Sequence, residues 1–293
     1  MAVLGLFLLV ELGARFGLAR LSAIERRTET EQKAAFALGG GALAHNTVLL
    51  AGNSLPLEDI DLSSLKNALS ADFRTTRYVV EQTYYLDWYY GLRSLYAAGS
   101  RPGVVALSLN AGQFTGNQIR GDYFAYRMMM TRDFLAAGRD AGLSATATSS
   151  LLLASLSAFY GTRSETRTVL LARLLPGMRD LVPYMTPIRG KQTPDRGWII
   201  DAASQRLRTM DAMARAHGAR FLLIVPADMD KTGPACLVEA GARAGVTVLV
   251  PLAPESLSPQ DFRDGFHLNP TGAARYTKSL GPMLKQAVSS VLR

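Results

Sequence analysis

Five short aliphatic runs, each set between stretches of helical period, leave this chain few ways to fold. The runs are residues 47–51, 77–80, 103–109, 220–226 and 246–251. A strand that is apolar on both faces has to be covered on both, and amphipathic segments lie between the runs to do it. Residues 62–69 put Leu62, Leu65 and Leu69 on one face behind Asp61 as N-cap. Residues 84–97, 201–217 and 236–244 follow the same logic, and a last helix begins at Pro270 with Asn269 as its cap. Strands joined by helices pair in parallel through right-handed crossovers. The expected fold is therefore α/β, a five-stranded parallel doubly wound (flavodoxin-like) sheet.

Residues 112–195 break the alternation. They hold Met128-Met129-Met130 and the apolar stretches 151–156 and 169–175, and are far longer than an ordinary crossover. They are read as an inserted helical cap whose apolar faces bury against each other. The domain reading is an N-terminal apolar and connector helix over residues 1–38, then an α/β domain over 39–293 with the insert at about 112–195. Tyr85, Trp88, Tyr89 and Tyr96 recur at helical spacing, and core packing is expected of them before a carbohydrate-stacking role. Gly39-Gly40-Gly41 precedes the first strand, the wrong order for a dinucleotide cradle, and reads as a hinge.

The N-terminus admits three readings. Residues 2–10 are nearly all aliphatic and end at Glu11, short of the ~20 residues a bilayer span needs. An anchor whose upstream part precedes this start, an interfacial amphipathic helix and a plain surface helix all fit. A membrane-associated or cell-envelope location is expected, with a cytoplasmic one left open. The net charge of +8 is spread along the chain as scattered arginines, and no zinc-finger, RNP-like or basic-zipper pattern occurs, so no nucleic-acid partner is expected. The single cysteine, Cys236, allows no internal disulfide and is expected to be a buried small hydrophobe. With three histidines and no His-x-x-x-His pair, neither a metal nor another cofactor is expected.

Two pieces from opposite ends of the chain carry chemistry. Gly52-Asn53-Ser54-Leu55 directly follows the first run, and Asp264-Gly265-Phe266-His267 precedes the last helix. A serine on a sharp turn, an imidazole and a carboxylate are the parts of an activated nucleophile. In an open parallel sheet, ligands bind beyond the carboxyl ends of the strands. His45 and His217 each precede a strand, whereas His267 follows one, at the edge where Ser54 lies. In this arrangement His267 takes the Ser54 proton, Asp264 orients the ring, and the Ser54 N–H helps to hold the oxyanion. Asp228 and Asp230 follow the fourth run at the same edge, where loop solvation is expected of them before substrate contact or replacement of Asp264.

On these two blocks the chain resembles the SGNH (GDSL-type) hydrolase family. The resemblance implies an oxyanion-hole Asn after the third strand, which Ser108-Leu109-Asn110-Ala111 supplies as Asn110, with Gln113 as an alternate. Asn53 stands where the family has Asp, and Asn53 and Gln113 are assigned to the substrate side. The family also implies a glycine donor after strand two, but Val80-Glu81-Gln82-Thr83 contains none. The implied function is a serine-dependent acyl-ester hydrolase or O-acyltransferase, with acetyl the expected acyl group, acting on a carbohydrate, cell-envelope or small ester substrate, similar to envelope-associated polysaccharide O-acetylation proteins. The alternative is a catalytically degenerate scaffold or glycan-binding protein on the same fold.

Overall fold

The computed structural model describes residues 2–40, 46–174 and 195–292. The chain divides into two compact units, Met1–Glu29 with Arg120–Pro194, and Thr30–Ile119 with Asp195–Arg293.

The second unit is built on a five-stranded sheet of β1 (Thr47–Gly52), β2 (Arg74–Val79), β3 (Val104–Ser108), β4 (Arg220–Ile224) and β5 (Thr247–Leu249). The strand order is β2-β1-β3-β4-β5 and every pairing is parallel, which is the doubly wound α/β fold expected from the sequence. β1 and β3 are buried at every position, as a strand with helices on both faces must be. Alternate residues divide between the two layers. Val48, Leu50, Val104, Ala106, Leu222 and Ile224 share one core with Leu65 and Leu69 of the Leu62–Leu69 helix and with Tyr276, Leu280 and Leu284 of the Pro270–Leu292 helix.

The aromatic helix, Tyr85–Ala97, is a core element: Trp88, Tyr90 and Tyr96 are fully buried, and Trp88 donates its indole N–H to Thr83 Oγ1 at 3.0 Å. Tyr85 is buried as well and Tyr89 is part-buried, which is the core packing expected of this helix. β2 begins three residues before the apolar run suggests. It is an edge strand whose first half, Arg74-Thr75-Thr76, is at least partly solvated, so its polar residues mask the pattern. Cys236 is buried, and that burial pushes its thiol pKa up.

The first unit is helical throughout its described part. It contains Ala2–Leu12, Asp122–Arg127, Phe134–Asp140, Ala145–Leu156, Ala158–Gly161 and Arg163–Leu174, while the short Ala111–Thr115 helix belongs to the sheet unit. Beside buried apolar residues such as Phe124, Met128 and Leu151 it holds a buried polar cluster. Glu25, fully buried, accepts the Tyr123 hydroxyl at 2.6 Å and pairs with Arg127. Losing one partner of such a pair leaves a buried charge uncompensated, at a cost of roughly 3–5 kcal/mol. Glu11, which ends the N-terminal apolar run, accepts the Ala158 N–H at 2.7 Å, the Phe159 N–H at 3.1 Å and the Ser157 hydroxyl at 2.7 Å. The side chains of Leu6, Phe7, Leu8, Leu9 and Leu12 stay exposed. Among the described residues, no helix is long and apolar enough to cross a membrane.

Candidate active site

Strand order decides where a site can form in this sheet. The direction in which strands are added reverses at β1, with β2 on one side and β3 on the other, and an open parallel sheet binds ligands beyond the carboxyl ends of its strands at such a point. The residues just past those two ends are Asn53-Ser54 and Leu109-Asn110.

The turn after β1 requires its glycine. Gly52 sits at φ +152°, and a Cβ there would lie 2.5 Å from the Ser108 carbonyl oxygen and 2.6 Å from Pro56 Cγ. Asn53 then caps the short helix Ser54–Glu58. Its Oδ1 accepts the Leu55 N–H at 3.0 Å while its Nδ2 donates to the Thr83 carbonyl at 3.1 Å. With both ends of the amide bonded to the backbone and the residue 1% exposed, Asn53 holds the turn and the helix start together. The same geometry explains why the position holds Asn. A carboxylate could cap the helix but would set an acceptor against the Thr83 carbonyl.

Ser54 is the first residue of that helix, where the backbone N–H has no helical acceptor. Its Oγ lies 3.0 Å from His267 Nε2, and His267 Nδ1 lies 2.8 Å from Asp264 Oδ2. The structure therefore brings the Ser54 hydroxyl to an imidazole and a carboxylate that lie more than two hundred positions further along the chain.

His267 rides on a tight hairpin. Phe262 and Leu268 form an antiparallel bridge, Arg263 N–H donates to the His267 carbonyl at 2.8 Å, and Gly265 turns the chain at φ +79°. Asp264 organises the turn through its second oxygen, Oδ1, which accepts the N–H groups of Phe266 at 3.0 Å and His267 at 2.7 Å. Desolvation acts to raise the Asp264 pKa. The hydrogen bonds from the His267 backbone and ring and from the Phe266 backbone outweigh it and hold the pKa at about 2. Asp264 is thus ionised at neutral pH and accepts the Nδ1 proton, which leaves Nε2 as the basic nitrogen facing Ser54. Phe266 packs edge-to-face on the His267 ring at 5.0 Å while staying 42% exposed.

Asn110 and Gln113 cap the Ala111–Thr115 helix reciprocally: Asn110 Oδ1 accepts the Gln113 N–H at 2.9 Å, and Gln113 Oε1 accepts the Asn110 N–H at 3.1 Å. The cap commits the Asn110 oxygen, so the group left to donate is its amide Nδ2. Gln113 has a cap role, which takes its oxygen away from a substrate. Asp228 and Asp230 serve their own loop. Asp228 accepts the Asp230 N–H at 3.0 Å, and Asp230 accepts those of Thr232 at 3.0 Å and Gly233 at 3.2 Å.

His217 caps the Arg196–Ala216 helix at the opposite edge of the sheet and stacks on Tyr96 at 4.3 Å. Burial, reinforced by the nearby Arg101 charge, lowers its pKa. His45 lies outside the described residues.

The sequence reading missed the turn after β2. Gln82 occupies it at φ +60°, the one non-glycine residue with positive φ among those described. The loop is fixed from both sides. Thr83 Oγ1 donates to the Val80 carbonyl at 2.6 Å, and the Thr83 carbonyl receives the Asn53 amide. No residue type announces such a turn when glycine is absent.

No protein-family model matches the chain, and no curated sequence does. Among solved structures, one titled "Crystal Structure of TesA" is similar over 82% of this chain and 99% of that one, at 14% identity and a TM-score of 0.41. A likeness of that size does not bear on activity.

Proposed function

We propose that this protein is a serine-dependent acyl-ester enzyme that hydrolyses an ester or transfers its acyl group to a hydroxyl. The observation that carries the reading is the continuous hydrogen-bonded line Ser54 Oγ–His267 Nε2 and His267 Nδ1–Asp264 Oδ2, at 3.0 and 2.8 Å, with Ser54 just past the carboxyl end of β1.

In this reading His267 Nε2 removes the Ser54 proton as Oγ bonds to the ester carbonyl carbon. The charge that collects on the carbonyl oxygen is held by the Ser54 N–H and the Asn110 amide, each such donor being worth about 3 kcal/mol in the transition state. The imidazolium, steadied by ionised Asp264, then passes its proton to the departing alkoxide, leaving an acyl group on Ser54. Water or an acceptor hydroxyl attacks next, and His267 takes and returns one proton in the same way.

The order Ser54, Asn110, Asp264-x-x-His267 on a parallel sheet supports a place in the SGNH family. Gln82 would fill the family's glycine turn, its φ of +60° giving the backbone the conformation that glycine gives elsewhere. The substrate class we infer is an acetylated carbohydrate or small ester at the cell envelope. The exposed leucines and phenylalanine of residues 6–12 support association with a membrane surface.

Intact mass after mixing with an activated acetyl ester tests the reading. An acetyl adduct on wild type that is absent from Ser54→Ala supports it. Folded wild type that never acquires an adduct and never turns over the ester supports the competing reading, a scaffold or glycan-binding protein.

A further inference from the structure

The mechanism leaves one buried carboxyl beside the site without a role. Asp59 ends the Ser54–Glu58 helix, its N–H donating to the Leu55 carbonyl at 2.8 Å. It is 1% exposed. Its Oδ1 accepts the Leu268 N–H at 2.8 Å, and its Oδ2 is buried with no partner. An orphaned carboxyl oxygen in an apolar site is costly and calls for a reason.

Its neighbours supply the reason. Leu268 is the residue after His267 and forms the base of the hairpin through its bridge to Phe262. Asn269 N–H closes the same base on the Asp261 carbonyl at 2.8 Å. The hairpin is braced internally by Arg263 N–H on the His267 carbonyl and by the Asp264 turn, so its parts move together. One five-residue helix thus carries the nucleophile at its first position and, just past its last, a carboxyl that grips the hairpin of the base.

We propose that Asp59 is a positioning residue for the Ser54–His267 pair, its buried carboxyl fixing the His267 hairpin to the end of the Ser54 helix. This inference rests on the serine-enzyme reading for its kinetic readout alone. The groups facing Asp59 are Glu58 on its own helix, Asp264 and Arg263 on the hairpin, and Tyr276 on the C-terminal helix, whose hydroxyl donates to the Val225 carbonyl at 2.8 Å. Desolvation, with help from Glu58 and Asp264, outweighs the Leu268 hydrogen bond and Arg263 and pushes the Asp59 pKa up to about 7. An N–H bonds more strongly to a carboxylate than to a neutral acid, so the grip weakens as Asp59 takes up a proton.

The test compares full-length wild type, Asp59→Ala and Asp59→Asn, with circular dichroism to establish that each is folded. The readouts are kcat and KM on an activated acetyl ester across pH, and the ring signals of His267 by NMR. Asp59→Ala should lower kcat by up to about 100-fold, the scale of a displaced catalytic group, with KM changed by less than about twofold. It should also displace the His267 ring signals. Asp59→Asn keeps an acceptor for Leu268 and should recover most of the rate at alkaline pH. It should also remove one ionisation from the acid limb of the profile, a change that a residue important only for packing would not produce.

A folded Asp59→Ala with wild-type kcat and unmoved ring signals overturns the proposal. If Asp59→Ala does not fold, an Asp59→Asn profile identical to wild type overturns it and a simplified acid limb supports it. If wild type turns over no ester, the serine-enzyme reading fails. The positioning claim is then decided by the ring signals, displaced in the variant if it holds and unmoved if it does not.

Discussion

Replacing Asp59 with Asn should change how the stability of the sheet unit depends on pH, in a direction set by the structure. Folding raises the Asp59 pKa from the ordinary aspartate value of 3.8 to about 7, with burial as the main cause. Between those values the folded chain keeps a proton that the unfolded chain has released. Stability therefore falls as pH climbs through that window and levels off above it. At about 1.4 kcal/mol per pH unit, the change amounts to about 4 kcal/mol. The side chain is almost wholly shielded from water, so solvent screening takes little from this figure. Asn cannot titrate, so the variant should lack this fall and should gain on wild type by about 3 kcal/mol between pH 5 and pH 8, the rest of the fall lying below pH 5. Urea unfolding followed by tryptophan fluorescence suits the measurement. Trp88 is fully buried against the sheet and Trp198 lies in the same unit, so both report on the unit that holds Asp59. Taking the difference between the two proteins cancels the titration of every other carboxylate they share. A difference that stays constant to within about 1 kcal/mol over this range, or that changes in favour of wild type as pH rises, refutes the reasoning.

The remaining predictions concern the site itself. Asp264→Asn should fold normally yet lower kcat by about 10⁴-fold, because the ring would be held in the wrong tautomer; steady-state kinetics with the acetyl ester check this. Asn110→Asp keeps the acceptor that caps the Ala111–Thr115 helix but loses the amide donor, so kcat should drop by about 10²-fold or more with little change in the urea midpoint. Asn53→Asp should destabilise the sheet unit by roughly 1–3 kcal/mol in urea at neutral pH, since its carboxylate would face the Thr83 carbonyl in a buried site.

Much of the sheet was legible because its strands are covered on both faces. Continuous aliphatic runs such as Val48-Leu49-Leu50 and Val104–Ser108 can be satisfied in few other ways. The same logic faded at the edge, where β2 mixes arginine and threonine with buried Tyr78 and Val79. Two helix starts were read about four residues late. Thr232-Gly233-Pro234 opens the Thr232–Ala244 helix, but Gly and Pro in a first turn look like a loop until the backbone is seen. Asp195 caps the Arg196–Ala216 helix through the Trp198 N–H, a local bond that no periodicity records.

At the site, Ser54, Asp264 and His267 could be picked out because the edge rule sorts histidines by their position relative to strands. Asn53 and Gln113 were placed on the substrate side, since a polar side chain at a sheet edge looks the same in sequence whether it meets a ligand or a backbone. Their hydrogen bonds belong to caps and to the Gln82 turn. Asp59 left no trace: in Leu57-Glu58-Asp59-Ile60-Asp61 it reads as one of three solvated acids, and only tertiary burial sets it apart.

Labelling of the full-length protein with a fluorophosphonate probe tests the central claim most directly. The account predicts a single phosphonylated residue, mapped to Ser54 by peptide mass spectrometry, with labelling abolished in Ser54→Ala and strongly slowed in His267→Ala. Folded wild type that stays unlabelled, or a label that persists in Ser54→Ala, would contradict it.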